Sequence, residues 1–381
     1  MDNLTHTLVG LTAAKAGLER LSPAATAVCM LAANAPDADI IAAFGGSWFY
    51  LKHHRGITHS IAGTLVIALL LPLLFYAGDR LIARLRRRPP RVRLRGLVIA
   101  SLLISATHPL MDWTNNYGLR PLLPWSGRWF YGDLVYIIDP WLWLSLGGAS
   151  FLLTAKARWR GIAWGALALF ATIAFVILPL RVGETYPFAS RAVWLAWLVC
   201  LIVAHRMEIA TRWKSSIALA ALAFVVVYWG ALSVLHGRAL TRARIVAQAQ
   251  AAQRQEIVSR VAAMPSLADP SLWRVLAETD RATYRFDTSL LTRVETELST
   301  PAGLARFEKP QGEAAELAAR AAGDERAKIF LDFARFPAAR VQPQNCAEEL
   351  LVQFADLRFT EPGTSRRTGN FGLEVPVRPA R

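Results

Sequence analysis

Six stretches of this sequence run for most of a membrane thickness with almost no charge in them, and nothing else limits the fold so tightly. Ile57 to Gly78 contains no Asp, Glu, Lys or Arg, and Gly96 to Trp113, Ile138 to Thr154, Gly161 to Leu180, Arg191 to Ala204 and Ser215 to Leu235 are nearly as clean. A helix needs roughly 20 apolar residues to cross about 30 Å of hydrocarbon, and most of these stretches approach that length. Two weaker helices precede them, Leu4 to Leu18 and Pro23 to about Phe44. The first lacks the basic start and clean apolar core of a signal peptide, so it reads as a retained helix that Asp2 or Asn3 can cap. The expected fold is an all-α polytopic membrane protein of about eight helices, followed by a small α+β domain outside the membrane. At 54% hydrophobic and 19% charged, the chain is too apolar for an ordinary soluble enzyme. Three widely spaced cysteines exclude a disulfide framework and a Cys-rich zinc knuckle.

A formal net charge of +15 would ordinarily suggest nucleic acid. Its distribution removes that reading. Residues 1–237 hold 22 Lys/Arg against 10 Asp/Glu, and residues 238–381 hold 21 against 18. The excess belongs to the apolar part, concentrated in short links: Lys15 and Arg20, the eight arginines between Arg80 and Arg95, Lys156 to Arg160, and Arg206 to Lys214. With the N-terminus outside, all four links fall on the cytoplasmic side of an eight-helix protein. The loops around Lys52–Arg55, Asn115–Ile137 and Arg181–Arg191 then face outward, as does everything after Leu235. Twelve of 13 tryptophans and all seven histidines lie before residue 237, which marks the same boundary.

The expected domains are thus 1–237, transmembrane, and 238–381, soluble. In the latter, Arg242 to Ala263 and Pro301 to Ala322 read as helices. Trp273–Thr279, Ala282–Leu291, Leu350–Phe359 and Phe371–Val377 alternate like paired strands.

Chemistry-bearing residues gather at a few helix ends: His6 in Thr5-His6-Thr7-Leu8-Val9-Gly10, Asp37 and Asp39 in Asn34-Ala35-Pro36-Asp37-Ala38-Asp39, and the run from His53 to Ser60. His108 and Asp112 follow, four apart and so on one helix face, and then Asp133 and Asp139. Ionisable groups near apolar helix ends are costly unless they pair, bind metal or face water. In the charge-based topology all of them lie at outward ends, although they played no part in setting the orientation. Histidines with carboxylates make a nitrogen/oxygen site suited to zinc, or to manganese or iron where oxygen dominates.

The Thr-His-xxx-Gly, Pro-Asp-x-Asp, His-Arg-Gly-x-Thr-His-Ser and His-xxx-Asp motifs together resemble the YdjM/YbcI-type membrane-bound metal-dependent hydrolases over roughly residues 1–145. The segment from Asn116-Tyr117-Gly118 through Pro124-Trp125-Ser126 to Asp133 fits as well. That resemblance implies a divalent metal held by His54, His59, His108 and Asp112, then by His6, Asp37 and Asp39. His53 is a neighbour; Asp133 and Asp139 are partners of a ligand or helix caps; Thr58 and Ser60 bond locally at a helix start.

The reaction so implied is metal-assisted hydrolysis of an ester or phosphoester of a lipid or lipid-linked substrate. Whichever of Asp37 and Asp39 does not ligate the metal would accept the proton, and Arg55 would hold an anionic substrate group. Membrane lipids and the unnamed substrate are the expected partners; no nucleic acid is expected and no protein partner is readable. The expected location is the inner membrane, multi-pass, with the metal site and C-terminal domain extracytoplasmic. Two other classes compete: a membrane protein with a structural metal, and a metal transporter. Transport needs polar groups at mid-helix, and the middles of the third, sixth and eighth helices are aliphatic or aromatic.

Overall fold

The computed structural model describes residues 1–178, 187–343, 350–364 and 371–378. The end of the Gly161–Leu180 stretch, most of the Arg181–Arg191 loop and Cys346 lie outside the described residues. The apolar stretches form α1 (Asn3–Ala16), α2 (Ala25–Asn34), α3 (Ser47–His53), α4 (Ile61–Leu85) and α5 (Leu94–Trp113). After them come α6 (Pro140–Leu142), α7 (Gly148–Thr154), α8 (Arg158–Thr172), α9 (Phe188–Arg206), α10 (Ile209–Trp213) and α11 (Ser215–Ala252). The 3₁₀ turns of Ala35–Gly45 prolong α2, and a π turn, Trp143–Gly147, joins α6 to α7.

Among the described residues, six helices are long and apolar enough to cross a membrane: Ala25–Gly45, Ile61–Leu85, Leu94–Trp113, Arg158–Ile177, Phe188–Arg206 and Ser215–Ala252. Ala25–Gly45, weak in the sequence, reaches that length through its 3₁₀ extension. The 138–154 stretch does not, because Asp139 and Pro140 start its helix and Lys156 follows its end. Val226 and Val227 are each 70% exposed, and Leu65, Val66 and Leu70 are more than half exposed. Rows of bare aliphatic side chains on a helix suit hydrocarbon and not water.

The chain divides into two units, Met1–Ala38 with Arg55–Ser233 and Ser266–Pro270, and Asp39–His54 with Val234–Pro265 and Ser271–Arg381. In the first unit, Asp2 caps α1 by accepting from the Thr5 N–H at 2.9 Å. A Cβ at Gly10 would sit 2.6 Å from the Cys29 carbonyl oxygen, so only glycine lets α1 and α2 lie this close. Ala13, Ala14, Cys29, Ala32 and Ala33 fill that seam together with Ala100 and Ile104 of α5. Two of the basic links, Lys15–Arg20 and Arg80–Arg95, meet at one end of this unit. There Arg93 donates from its backbone to Ser22 Oγ (2.9 Å) and from Nη2 to the Arg20 carbonyl (2.8 Å).

The second unit contains a four-stranded sheet, β1 (Val258–Ser266), β2 (Asp269–Thr279), β3 (Ala282–Ser289) and β4 (Ala302–Glu308), in that order. A three-stranded antiparallel sheet follows, β5 (Pro337–Pro343), β6 (Leu350–Asp356) and β7 (Gly372–Val377). Three helices accompany them, α12 (Val294–Ser299), α13 (Glu313–Ala321) and α14 (Glu325–Phe333). The α+β expectation holds, with two helix boundaries corrected. α11 runs from the apolar part to Ala252, and Val258 onward is strand, because Gln255 turns the chain with φ +54°. Pro301–Ala322 is strand β4 followed by α13; Ala302 to Glu308 pairs with β3, and that pairing outweighs its helical composition. Helix α3 packs on α14, and Trp48 joins the core of Leu317, Phe330 and Phe354.

Candidate metal centre

Three segments build the centre, all in the first unit. Asp37 lies in the 3₁₀ turns after α2, His59 in a short 3₁₀ turn (Ile57–His59) before α4, and His108 and Asp112 on the last turns of α5. Ser60 fixes the start of α4 by accepting from the Gly63 N–H at 3.0 Å. The i, i+4 spacing puts His108 and Asp112 on one face.

One donor atom from each of these four residues lies within 4.8 Å of all the others. His59 Nε2 is 3.1 Å from His108 Nε2, 3.2 Å from Asp37 Oδ1 and 3.3 Å from Asp112 Oδ2. His108 Nε2 is 3.5 Å from Asp37 Oδ1 and 3.7 Å from Asp112 Oδ2. His59, His108 and Asp112 are fully buried, while the Asp37 side chain keeps 13% exposure.

The proton count shows what this arrangement can hold. His108 Nδ1 lies 2.6 Å from the Ala33 carbonyl, an acceptor only, so Nδ1 carries the hydrogen and Nε2 presents a lone pair. In the neutral imidazole that lone pair faces two carboxylate oxygens and a second imidazole nitrogen. Converging acceptors repel each other, and a divalent cation removes that repulsion. Two nitrogens and two oxygens also match the donor number and type of a zinc site. The residues therefore fit a metal ion, whose identity they leave open.

Arg55 is buried and held in a left-handed conformation (φ +51°). Its Nε lies 3.1 Å from Asp112 Oδ2, and its Nη2 donates to Oδ1 at 3.2 Å. Nη1 donates to Asn115 Oδ1 at 3.0 Å, and the guanidinium covers the Tyr117 ring at 4.7 Å. The structure thus places Arg55 against a carboxylate of the cluster, in a buried site and not on an open surface. The Met1 amino group also contacts Asp112 Oδ1.

The remaining sequence candidates fall around or apart from this group. His6 stacks on His108 at 3.8 Å between ring centroids and reaches Asp112 Oδ1 with Nε2 at 3.3 Å. It touches the same carboxylate as the group but through the other oxygen. His54 and Asp39 belong to the second unit, where His54 Nδ1 and Asp39 Oδ1 are 3.1 Å apart. His53 Nδ1 donates to the Phe49 carbonyl. Asp139 caps α6 through the Trp141 and Leu142 N–H groups and accepts from Tyr228 at 3.0 Å. Sequence reasoning missed the Ala33 carbonyl, which carries no side-chain signal. It also missed Asn115, a buried amide next to the Asn116-Tyr117-Gly118 segment that was noticed.

Fold and site together define a multi-pass helical membrane protein with a His/Asp cluster, able to hold a metal ion, at the ends of α4 and α5 opposite the basic link that joins them. Residues 1–182 match the family described as YdjM inner membrane protein, the family its motifs resemble. The chain is also similar to the Bacillus subtilis (strain 168) protein YfhP, described as uncharacterized, at 28% identity over 155 residues. That match covers 38% of this chain and 44% of YfhP, so the chain spans less than half the length of that curated relative. No solved structure matches the chain.

Proposed function

We propose that the protein is a membrane-bound metal-dependent hydrolase whose centre is Asp37, His59, His108 and Asp112. The observation that carries this is the convergence of four donor atoms within 4.8 Å, with the His108 lone pair turned inward by its bond to Ala33. A divalent metal, zinc first and manganese or iron next, would supply a water of pKa near 7 and polarise an ester or phosphoester oxygen. The chain's residues do the rest. Arg55, itself anchored by Asn115, holds the Asp112 carboxylate in one orientation. With His59, His108 and Asp112 as the ligands and the fourth position left to water, Asp37, at the exposed edge of the cluster, is placed to accept a proton, whereas Asp39 is engaged by His54. With the basic links cytoplasmic, the centre lies at the extracytoplasmic end, within reach of a lipid or lipid-linked ester.

A structural metal is favoured by one feature, that four protein donors already fill a tetrahedral shell. The deciding experiment is elemental analysis of the purified protein together with generic carboxyl-ester and phosphoester substrates, with and without chelator. Bound metal with chelator-sensitive hydrolysis supports the enzyme. Metal without hydrolysis supports the structural role, and no metal refutes both.

A further inference from the structure

Helix α1 has a second working face. His6 points to the cluster, while Leu4 and Leu8, two residues to either side and so about 200° round the helix, line an apolar groove. The groove has a volume of about 390 Å³ and is walled by α1, α7, α8, α9 and the π turn between α6 and α7, with no charged residue in its lining. On α8 it runs from Gly161 through Trp164 and Gly165 to Ala171. Ten residues of helix span about 15 Å, half of a roughly 30 Å hydrocarbon core, which is the depth of one leaflet. A Cβ added at Gly161 or Gly165 would meet nothing within 4 Å, so these glycines leave room where no other helix takes it up.

The mouth of the groove has its own chemistry. Gly161 directly follows Arg160, and Lys156, Arg158 and Arg160 are all exposed. The Arg160 guanidinium lies over the exposed Trp159 ring at 5.1 Å, an indole placed where interfaces favour it. An apolar slot one leaflet deep, with Arg158 three residues before its lining Gly161 and Arg160 four before its lining Trp164, complements one kind of molecule.

We propose that this groove binds an anionic phospholipid. One acyl chain lies between α1, α7, α8 and α9, and the phosphate headgroup rests on Lys156, Arg158 and Arg160. The site is separate from the metal cluster and does not depend on the hydrolase reading.

The test uses the full chain in a neutral detergent, titrated with phosphatidylglycerol or phosphatidylcholine of identical brominated chains. Tryptophan quenching and native mass spectrometry report binding and retention. Each surface cation contributes about fivefold to affinity for an anionic lipid, so the parent should prefer phosphatidylglycerol by on the order of a hundredfold. The triple variant Lys156→Gln, Arg158→Gln, Arg160→Gln should bind both lipids alike. Gly165→Leu should weaken both by about tenfold or more, and Gly161→Leu, nearer the mouth, repeats that test should the first variant misfold. Equal retention of the two lipids by the parent overturns the proposal. So does a folded leucine variant with parental affinity, or self-association that blocks quenching.

Discussion

Replacing the motif histidines by alanine one at a time separates a grouping by motif from a grouping by geometry. His54 and His59 stand in the same His-Arg-Gly-x-Thr-His-Ser run, yet only His59 has its Nε2 3.1 Å from His108 Nε2. His54 instead faces Asp39. Loss of a side chain that merely supports a ligand lowers metal affinity 10- to 100-fold, roughly, and loss of a ligand should do no less. At a free metal concentration one hundred times Kd, binding stabilises the folded chain by about 2.7 kcal/mol. A hundredfold weaker site at the same concentration contributes only about 0.4 kcal/mol. Thermal unfolding in detergent with and without added zinc should therefore show most of the metal-induced shift gone in His59→Ala and His108→Ala. His54→Ala should keep it, as should the controls His205→Ala and His236→Ala, and elemental analysis after dialysis should rank the variants identically. Parental metal content in both His59→Ala and His108→Ala, or a loss in His54→Ala as deep as theirs, would refute the geometric grouping.

Other substitutions probe what supports the centre. Arg55→Lys keeps the charge but loses the fork that grips both oxygens of Asp112 and the stack on Tyr117, so metal affinity should fall by about tenfold or more in the same titration. Gly10→Leu forces α1 from the Cys29 carbonyl and should cost about 1–3 kcal/mol in unfolding experiments while lowering metal content; an unchanged midpoint would contradict the close approach. In the second unit, burial pushes the Glu297 carboxyl up, but bonds from Thr288, Ser289, Thr292 and Arg242 overcome this and hold its pKa below the usual value. A depressed folded pKa stabilises fully above the unfolded value of about 4.3 and is lost as pH falls through the folded one. The melting difference between parent and Glu297→Gln should accordingly be largest near neutral pH and shrink below about pH 4. For orientation, a phosphatase reporter fused after Arg381 should be active and one fused at Arg88 silent; the opposite pattern inverts the topology.

Much of the fold was legible because hydrocarbon imposes a coarse rule that a single sequence can satisfy visibly. An uncharged stretch such as Ile57 to Gly78 has no competing reading. Illegibility begins where length and burial diverge. The 138–154 stretch is as apolar as its neighbours, but its helix starts at the Asp139–Pro140 cap and ends before Lys156. In the second unit, Ala302–Glu308 has helical composition yet becomes strand, because β3 offers it backbone partners that no local propensity reveals.

The site divides along the same line. His108 and Asp112 were readable as a pair, since helical spacing alone sets them on one face. Choosing between His54 and His59 was not possible from spacing, because the chain between them is irregular. Arg55 takes a positive φ, and Ile57 to His59 form a single 3₁₀ turn, so five residues of sequence carry no fixed direction in space. Arg55 itself had two physically sound readings, an anion clamp for substrate or a partner for a buried carboxylate. Burial decides where it sits: a guanidinium 3% exposed among Asp112, Asn115 and Tyr117 already has its charge paired with Asp112 and both Nη groups bonded within the protein. An arginine so placed holds the Asp112 carboxylate in position beside His59, and its loss should be read first in metal affinity.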